Sequence, residues 1–254
     1  MELSYREFGE NTNISFIILH GLFGSSKNWI TNAKELSVMG KVYSLDLRNH
    51  GDSPHSQEHN LESMVKDVRE FVLTYRIEKP ILIGHSMGGL VAMQYAFACP
   101  KDLESLVVVD IAPRQYSFDY ANEFRALQID VSKFQSRQKI DVEMAKILPD
   151  SFLRQFLQMN LEKSDNGYKW KINVDALSKA ESLNISFFDK EYKGKALFIR
   201  GGESEYVTEE YIPLIQEKFP NASIQTIPSA NHYLHYFYAK EFVQVVTDFV
   251  RSSG

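Results

Sequence analysis

Short apolar runs alternate with amphipathic stretches along the first 110 residues. The runs begin near residues 14, 41, 80 and 106, are rich in Ile, Leu and Val, and lack regular polar positions. Such runs are typical of strands buried on both faces, and therefore of a parallel sheet. Between them apolar residues recur at helical spacing, most clearly over 61–75, where Asn60 is the predicted N-cap. The alternation predicts right-handed βαβ units in a mostly parallel, doubly wound α/β sheet.

The pattern changes at about residue 115 and returns at about residue 190. Between these points the sequence lacks strong strand signals and carries amphipathic stretches, the clearest of which is 152–161. Strand and helix signals alternate again from residue 196, and a last helix is predicted over 241–250. We therefore expect a core formed by residues 1–114 and 190–254, with residues 115–189 inserted as a helical cap.

Composition and charge exclude several classes of partner. Hydrophobic residues make up 44% of the chain, charged residues 24%, and the formal net charge is −5, which is ordinary for a globular protein. Nucleic-acid binding would need a basic run, and the apolar runs are too short to span a bilayer. The start of the sequence lacks a signal-peptide pattern, and a lone cysteine, Cys99, fits a reducing compartment. We expect a cytoplasmic monomer or homodimer, without a nucleic-acid or membrane partner.

A serine stands between a predicted strand and a predicted helix in the segment Gly84-His85-Ser86-Met87-Gly88-Gly89. This segment fits the G-x-S-x-G nucleophile elbow, in which the chain turns sharply and presents the serine at the apex. Glycines at positions 84 and 88 leave room for that turn. The motif predicts that Ser86 is a catalytic nucleophile and that the scaffold is an α/β-hydrolase fold.

A second motif, His20-Gly21-Leu22-Phe23-Gly24, follows the first strong strand. In the predicted fold a loop at this position supplies one N–H of an oxyanion hole, and the residue after the nucleophile supplies the other. The amides of Leu22 and Met87 are therefore the predicted oxyanion donors. We expect the side chain of Phe23 to line the substrate pocket.

A serine nucleophile needs a general base, and the chain has seven histidines. His232 follows the last predicted strand, where this fold carries its base, so it is favoured over His235, which we expect to pack on the final helix. Three other histidines, His50, His55 and His59, lie in the loop after the second strong strand. Their spacing is irregular and interrupted by a proline, so we predict neither a metal site nor an organic cofactor.

The acid that orients the histidine has two candidates. Asp110 ends the strand that follows the elbow helix, and Glu205 follows the next strand along the chain. Both positions are geometrically possible for a carboxylate that accepts the Nδ1–H of the base. We also expect Asp46 and Arg48 to pair and to brace the loop behind the oxyanion hole.

These motifs together resemble the YbfF-type bacterial esterases, which are related to a mitochondrial abhydrolase. The matching segments span nearly the whole chain. The resemblance implies a short-chain carboxylesterase, with acyl-CoA thioesters as a further substrate class, and it implies that the acid is Asp110, 24 residues after Ser86. The segments that carry it are 20–24, 46–56, 84–89, 110–113, 158–161, Trp170 and 200–202.

The predicted function is hydrolysis of short- to medium-chain esters or thioesters through an acyl-enzyme. A fold does not fix its chemistry, so two alternatives remain open. One is a carbon–carbon bond hydrolase or lyase on the same scaffold. The other is a ligand receptor that keeps the triad without turnover.

Overall fold

The computed structural model describes residues 1–10, 12–116, 119–180 and 190–252. Within these ranges, no helix has both the length and the apolar content that crossing a bilayer requires. The strands are β1 (Tyr5–Phe8), β2 (Ser15–Leu19), β3 (Lys41–Leu45), β4 (Ile81–His85), β5 (Ser105–Val109), β6 (Leu161–Ser164), β7 (Gly167–Trp170), β8 (Ala196–Gly201) and β9 (Ala222–Ile227). The helices are α1 (Ile30–Leu36), α2 (Leu61–Thr74), α3 (Met87–Ala98), α4 (Ala121–Leu127), α5 (Arg137–Ala145), α6 (Ser151–Gln158), α7 (Val174–Lys179), α8 (Ile212–Lys218), α9 (Leu234–Phe237) and α10 (Ala239–Arg251).

Seven strands form the central sheet, in the order β1-β3-β2-β4-β5-β8-β9. All neighbouring pairs are parallel except β1 with β3. The mostly parallel, doubly wound sheet predicted from the apolar runs is therefore confirmed. Strand β1 was not predicted, because this edge strand is short and its side chains are only partly buried.

Helices cover both faces of the sheet. In strand β2, Phe16 and Ile18 pack into the cluster that contains Ala33 of α1 and Phe242 of α10. Ile17, between them, packs into the opposite cluster, which includes residues of α2, α3 and α8. Because successive side chains of a strand point to opposite faces, burial of both faces explains the apolar runs without polar positions.

Helix α2 begins at the predicted residue. The side chain of Asn60 accepts a hydrogen bond from the amide of Ser63 at 2.8 Å, which is the N-cap interaction. Met64, Val68 and Phe71 of α2 are buried in the core cluster shared with α3. The predicted start and the predicted apolar face of this helix are both confirmed.

Between β5 and β8 the chain leaves the sheet and forms an inserted segment, here called the cap, which contains α4 to α7 and the antiparallel hairpin β6–β7. The expectation of a purely helical cap is wrong at the hairpin. Strands β6 and β7 have four residues each and are half exposed, so they lack a long apolar run. The available signal was the two-residue turn Asp165-Asn166, followed by Gly167 with φ 142° at the start of β7. Of the predicted segment 115–189, residues 117–118 and 181–189 lie outside the described residues.

The cap has a hydrophobic cluster of its own that also includes one core residue, Phe23. Polar contacts tie the cap to the loop after β3. The Asn173 side-chain amide donates to Asn49 Oδ1 at 3.0 Å, and Lys171 forms an ion pair with Asp52. The buried members of the cluster are Phe23, Ala126, Leu127, Val131, Ile140, Met144, Leu148, Leu157, Leu161, Ile172 and Leu177.

The loop after β3 is braced differently from the prediction. Arg48 does not pair with Asp46. It forms two hydrogen bonds with Asp67 of α2, at 2.6 and 2.9 Å, and both side chains are buried. The Asp46 carboxylate instead accepts the amides of Ser26 and Asp52, at 2.6 and 2.8 Å. Backbone donors already occupy both Asp46 oxygens, so the guanidinium turns to the next buried carboxylate.

We expect Asp67→Ala to lower the free energy of unfolding by about 3 kcal/mol, because it leaves the guanidinium of Arg48 without its buried carboxylate partner. Urea unfolding followed by circular dichroism measures the loss. Glu62→Ala on the same helix is the matched control, since Glu62 pairs with Lys66 in an exposed position. That variant should keep the wild-type midpoint. Equal losses in the two variants would contradict this account of the buried pair.

Candidate active site

Ser86 occupies a sharp turn between β4 and α3 and has φ 51° and ψ −118°. A Cβ at Gly84 would lie 2.2 Å from the carbonyl oxygen of Gly88. A Cβ at Gly88 would lie 2.4 Å from the carbonyl oxygen of Leu19 in β2. The turn is therefore compatible only with glycine at these two positions, as the motif predicts. The positive φ of Ser86 is a strained conformation that the surrounding packing maintains.

The loop 20–24 contacts the elbow directly. A Cβ at Gly21 would lie 3.2 Å from the Cβ of Ser86, so the two backbones approach closely. Within the part of the chain that the structure describes, the N–H groups of Leu22 and Met87 have no protein acceptor. Both predicted oxyanion donors are therefore available to a ligand, at the loop beside Ser86 and at the first residue of α3.

His20 holds this loop in place from within the protein. Its Nε2 accepts the amide of Leu47 at 3.0 Å, so its proton is on Nδ1, 2.8 Å from the carbonyl oxygen of Gly21. Burial lowers the pKa of His20 below its usual value, and the charge of Asp46 offsets this only in part. A neutral His20 thus acts as a fixed donor and acceptor between the two loops.

His50 supports the next residue of the loop. Its Nε2 accepts the amide of Phe23 at 3.3 Å, and its Nδ1 lies 2.9 Å from the carbonyl oxygen of Arg48. Burial, followed by the nearby His20 and His59, holds the pKa of His50 well below its usual value. Because this contact engages the amide of Phe23, the loop leaves the amide of Leu22 free. This role of His50 was not predictable from sequence, since the contact between positions 23 and 50 is not local.

The three histidines of the loop after β3 lie in different environments. His55 is exposed beside the carbonyl oxygen of Lys171, whereas His50 and His59 are buried. Across the described ranges, no group of three or more His, Cys, Asp or Glu side chains is arranged to hold a metal ion.

Phe23 links the loop 20–24, which we call the oxyanion loop after its predicted role, to the cap. Its ring is buried and makes T-shaped contacts with Tyr120 and Phe124, with centroids at 5.5 and 5.3 Å. Its carbonyl oxygen accepts a hydrogen bond from the Asn160 side chain at 2.7 Å. The predicted role of Phe23 as a wall of the substrate pocket stays a prediction.

The structure brings His232 and Asp110 together. His232 follows β9, Asp110 follows β5, and the distance from Nδ1 to Oδ2 is 2.8 Å. The Asp110 side chain is fully buried and the His232 side chain is 14% exposed. Such a contact fixes the imidazole with its proton on Nδ1, which leaves Nε2 free to accept a proton.

Two further donors hold the Asp110 carboxylate. The amide of Gly201 donates to Oδ1 at 2.9 Å, and the hydroxyl of Ser204 donates to Oδ2. Neither contact was predicted from the sequence motifs. Their position directly after a predicted strand was the available signal, because the carboxyl ends of parallel strands share one edge of the sheet.

Glu205, the alternative acid, and His235, the less favoured base, lie outside the contact between His232 and Asp110. Glu205 is exposed, and within the described structure no hydrogen bond or ion pair joins it to His232. His235 is buried and stacks on Trp29, with ring centroids 4.3 Å apart, and Trp29 in turn contacts Phe242 of α10. Burial lowers the pKa of His235 to about 3, so this ring stays neutral.

His85, which precedes Ser86, contacts the loop that carries His232. Its Nε2 lies 2.9 Å from the backbone carbonyl oxygen of His232, which requires the proton on Nε2. Burial and the neighbouring His235 and His232 keep the pKa of His85 well below its usual value. The elbow therefore positions two residues of the site, the serine at its apex and the loop of His232.

The site combines a serine at a strand-to-helix elbow, a neighbouring loop with an unpaired backbone amide, and a His–Asp pair. This is the arrangement of a serine hydrolase on the α/β-hydrolase scaffold. The chain belongs to this family, since the family profile described as alpha/beta hydrolase fold matches residues 14–238. The resemblance drawn from the motifs is confirmed at this level.

Named relatives cover almost the whole chain. The sn-1-specific diacylglycerol lipase ABHD11 of Danio rerio is 36% identical over 99% of this chain and 83% of its own length. The protein of the same name from Mus musculus is 34% identical over 98% of this chain and 85% of its own length. A solved structure titled marine microorganism esterase is 39% identical, with a TM-score of 0.90 over 98% of this chain and 99% of that one.

We expect Asp110→Asn to lower kcat by about 10³ to 10⁴, because the asparagine amide would oppose the Nδ1–H of His232 and favour the wrong tautomer. Glu205→Gln is the control and should cost less than about tenfold, acting only through an exposed charge. Steady-state hydrolysis of p-nitrophenyl acetate measures both. The opposite ranking would transfer the orienting role to Glu205, and equal losses would mean that the two carboxylates share it.

Proposed function

We propose that the protein is a serine carboxylic ester hydrolase in which Ser86, His232 and Asp110 act as a catalytic triad through an acyl-enzyme. The observation that carries the proposal is Ser86 on its strained elbow, with free amides beside it and a His–Asp pair in the same site. Its substrates are short- to medium-chain esters, with acyl-CoA thioesters as a second class suggested by the motif resemblance.

The reaction uses only groups of this chain. Asp110 holds the Nδ1–H of His232, and Nε2 takes the hydroxyl proton as Ser86 Oγ attacks the acyl carbon. The amides of Leu22 and Met87 stabilise the negative charge that develops on the carbonyl oxygen. His232 then gives its proton to the departing alkoxide or thiolate, and a water molecule attacks the acyl-enzyme by the same two proton transfers. The mechanism needs no metal or organic cofactor.

The relatives and the cap support an acyl substrate. The relatives cited above are named diacylglycerol lipase and the solved neighbour cited above is titled an esterase, so an ester of an apolar acyl group is the class of substrate that we assign. Phe124 and Tyr120 of the cap pack on Phe23, next to Leu22 of the oxyanion loop. Aromatic side chains at this place suit an acyl chain, which needs an apolar pocket. The composition and the lone cysteine favour a cytoplasmic location.

We expect Ser86→Ala to lose p-nitrophenyl acetate turnover by about 10⁴-fold or more, because no hydroxyl remains to form the acyl-enzyme. Mass spectrometry of quenched wild-type protein should find the acyl group on the peptide that contains Ser86. Ser178→Ala, at an exposed position of the cap, is the control and should keep wild-type activity and acylation.

More than a tenth of the activity in Ser86→Ala would refute the assignment. Release of one equivalent of nitrophenol without turnover by wild-type protein would favour a ligand receptor. Consumption of a substrate by cleavage of a carbon–carbon bond, with no hydrolysis of the esters in the same panel, would favour the carbon–carbon bond hydrolase or lyase.

We expect Phe124→Ala to shift the acyl preference toward longer chains, by about tenfold in relative kcat/KM, because the lost ring leaves apolar space for additional methylenes. A series of p-nitrophenyl esters of graded acyl length measures the shift. Val142→Ala, at an exposed position of the cap, should leave the preference unchanged. An unchanged profile in Phe124→Ala would exclude this ring from the acyl pocket.

A further inference from the structure

One aromatic ring stacks on the imidazole of His232. The ring of Tyr206 lies nearly parallel to it, with centroids 3.6 Å apart and an interplanar angle of 13°. We propose that Tyr206 is a positioning residue, whose ring keeps the His232 imidazole in the orientation that serves both Asp110 and Ser86. The proposal rests on the function assigned above, and it adds a residue for which the motifs gave no indication.

The backbone of Tyr206 is fixed on both sides, so its ring position is determined by the loop rather than by chance. Its amide donates to the hydroxyl oxygen of Ser204 at 3.3 Å. Its carbonyl oxygen accepts a hydrogen bond from the Tyr116 hydroxyl at 2.9 Å, and that hydroxyl also accepts the amide of Ala112 at 2.8 Å. Since Ser204 also bonds Asp110, a single loop positions the acid and the ring that covers the base.

The stack supplies a restraint that the hydrogen bond to Asp110 lacks. A single contact at Nδ1 fixes one edge of the imidazole and leaves the ring free to tilt about that edge. A parallel ring in van der Waals contact opposes such tilting on the face that it covers. His85 and Tyr233 have ring centroids 4.6 and 5.6 Å from that of His232, in tilted and edge orientations. Tyr206 is therefore the flat surface against which the base rests.

The phenol of Tyr206 extends the restraint to the cap. It shares a hydrogen bond with the phenol of Tyr120, which precedes α4 and packs on Phe23. Burial raises the pKa of both phenols, so both stay protonated at neutral pH. The base of the core domain thus contacts the cap through two tyrosines, whereas the oxyanion loop contacts it through Phe23.

The test separates the ring from the hydroxyl. Tyr206→Leu removes the stack and should lower kcat by about 10²-fold while KM stays within about threefold, because a misplaced base slows chemistry rather than binding. Tyr206→Phe keeps the ring and should retain kcat within threefold of wild type. Tyr211→Leu, which removes another ring from the same region, should keep wild-type kcat. If Tyr206→Leu fails to fold, Tyr206→Met supplies a side chain of similar reach without a ring face.

A spectroscopic measurement makes the result independent of turnover. The proton between His232 Nδ1 and Asp110 should give a sharp downfield NMR resonance in wild type and Tyr206→Phe, and a broadened or absent one in Tyr206→Leu. Wild-type kcat and a sharp resonance in Tyr206→Leu would overturn the proposal. Equal damage in Tyr206→Phe and Tyr206→Leu would also overturn it, because the hydroxyl would then be the essential group. If the assigned function were wrong, Ser86→Ala would keep more than a tenth of the wild-type activity. The NMR resonance of the proton between His232 and Asp110 would be unchanged in that variant.

Discussion

Close backbone contact between α3 and strands β2 and β4 is the constraint on which the site depends. Because Gly84 and Gly88 have no side chain, the start of α3 can lie in close backbone contact with β2 and β4. The turn between β4 and α3 can then adopt the positive φ of Ser86. The same turn places Met87 at the first position of α3 and brings His85 into contact with the loop of His232. This close packing therefore positions Ser86, the amide of Met87 and a support of His232 together.

Burial divides the histidines near the site into two kinds. His20, His50, His85 and His235 are buried and their pKa values are lowered, so they serve as neutral hydrogen-bonding or packing groups. His232 differs because it keeps partial exposure and contacts a carboxylate through Nδ1. The local environment, rather than the residue type, thus separates the histidine that contacts the buried carboxylate from those that brace the surrounding loops.

What could be predicted from the sequence was local, and what could not was the choice of distant partners. Apolar runs predict the parallel strands because burial on both faces produces a recognisable pattern within a few consecutive residues. The elbow is predictable because its glycines lie within two residues of the serine. The pairing of Arg48 with Asp67 and the hydroxyl of Ser204 on Asp110 depend on which loops meet at the sheet edge. The hairpin β6–β7 was missed because a two-residue turn with short, half-exposed strands carries little periodicity.

The cap contacts the supports of two parts of the site, the loop 20–24 and His232. Asn160 binds the carbonyl oxygen of Phe23, so the cap fixes the peptide next to the Leu22 amide. Tyr120 reaches Tyr206, whose ring covers the base. A segment that only enclosed the substrate would influence binding alone. Under the proposed mechanism, a change in the packing of this cap alters the alignment of the reacting groups, because the cap contacts the supports of Leu22 and of His232. The proposal therefore couples acyl selectivity to the rate of the chemical step through the same aromatic side chains.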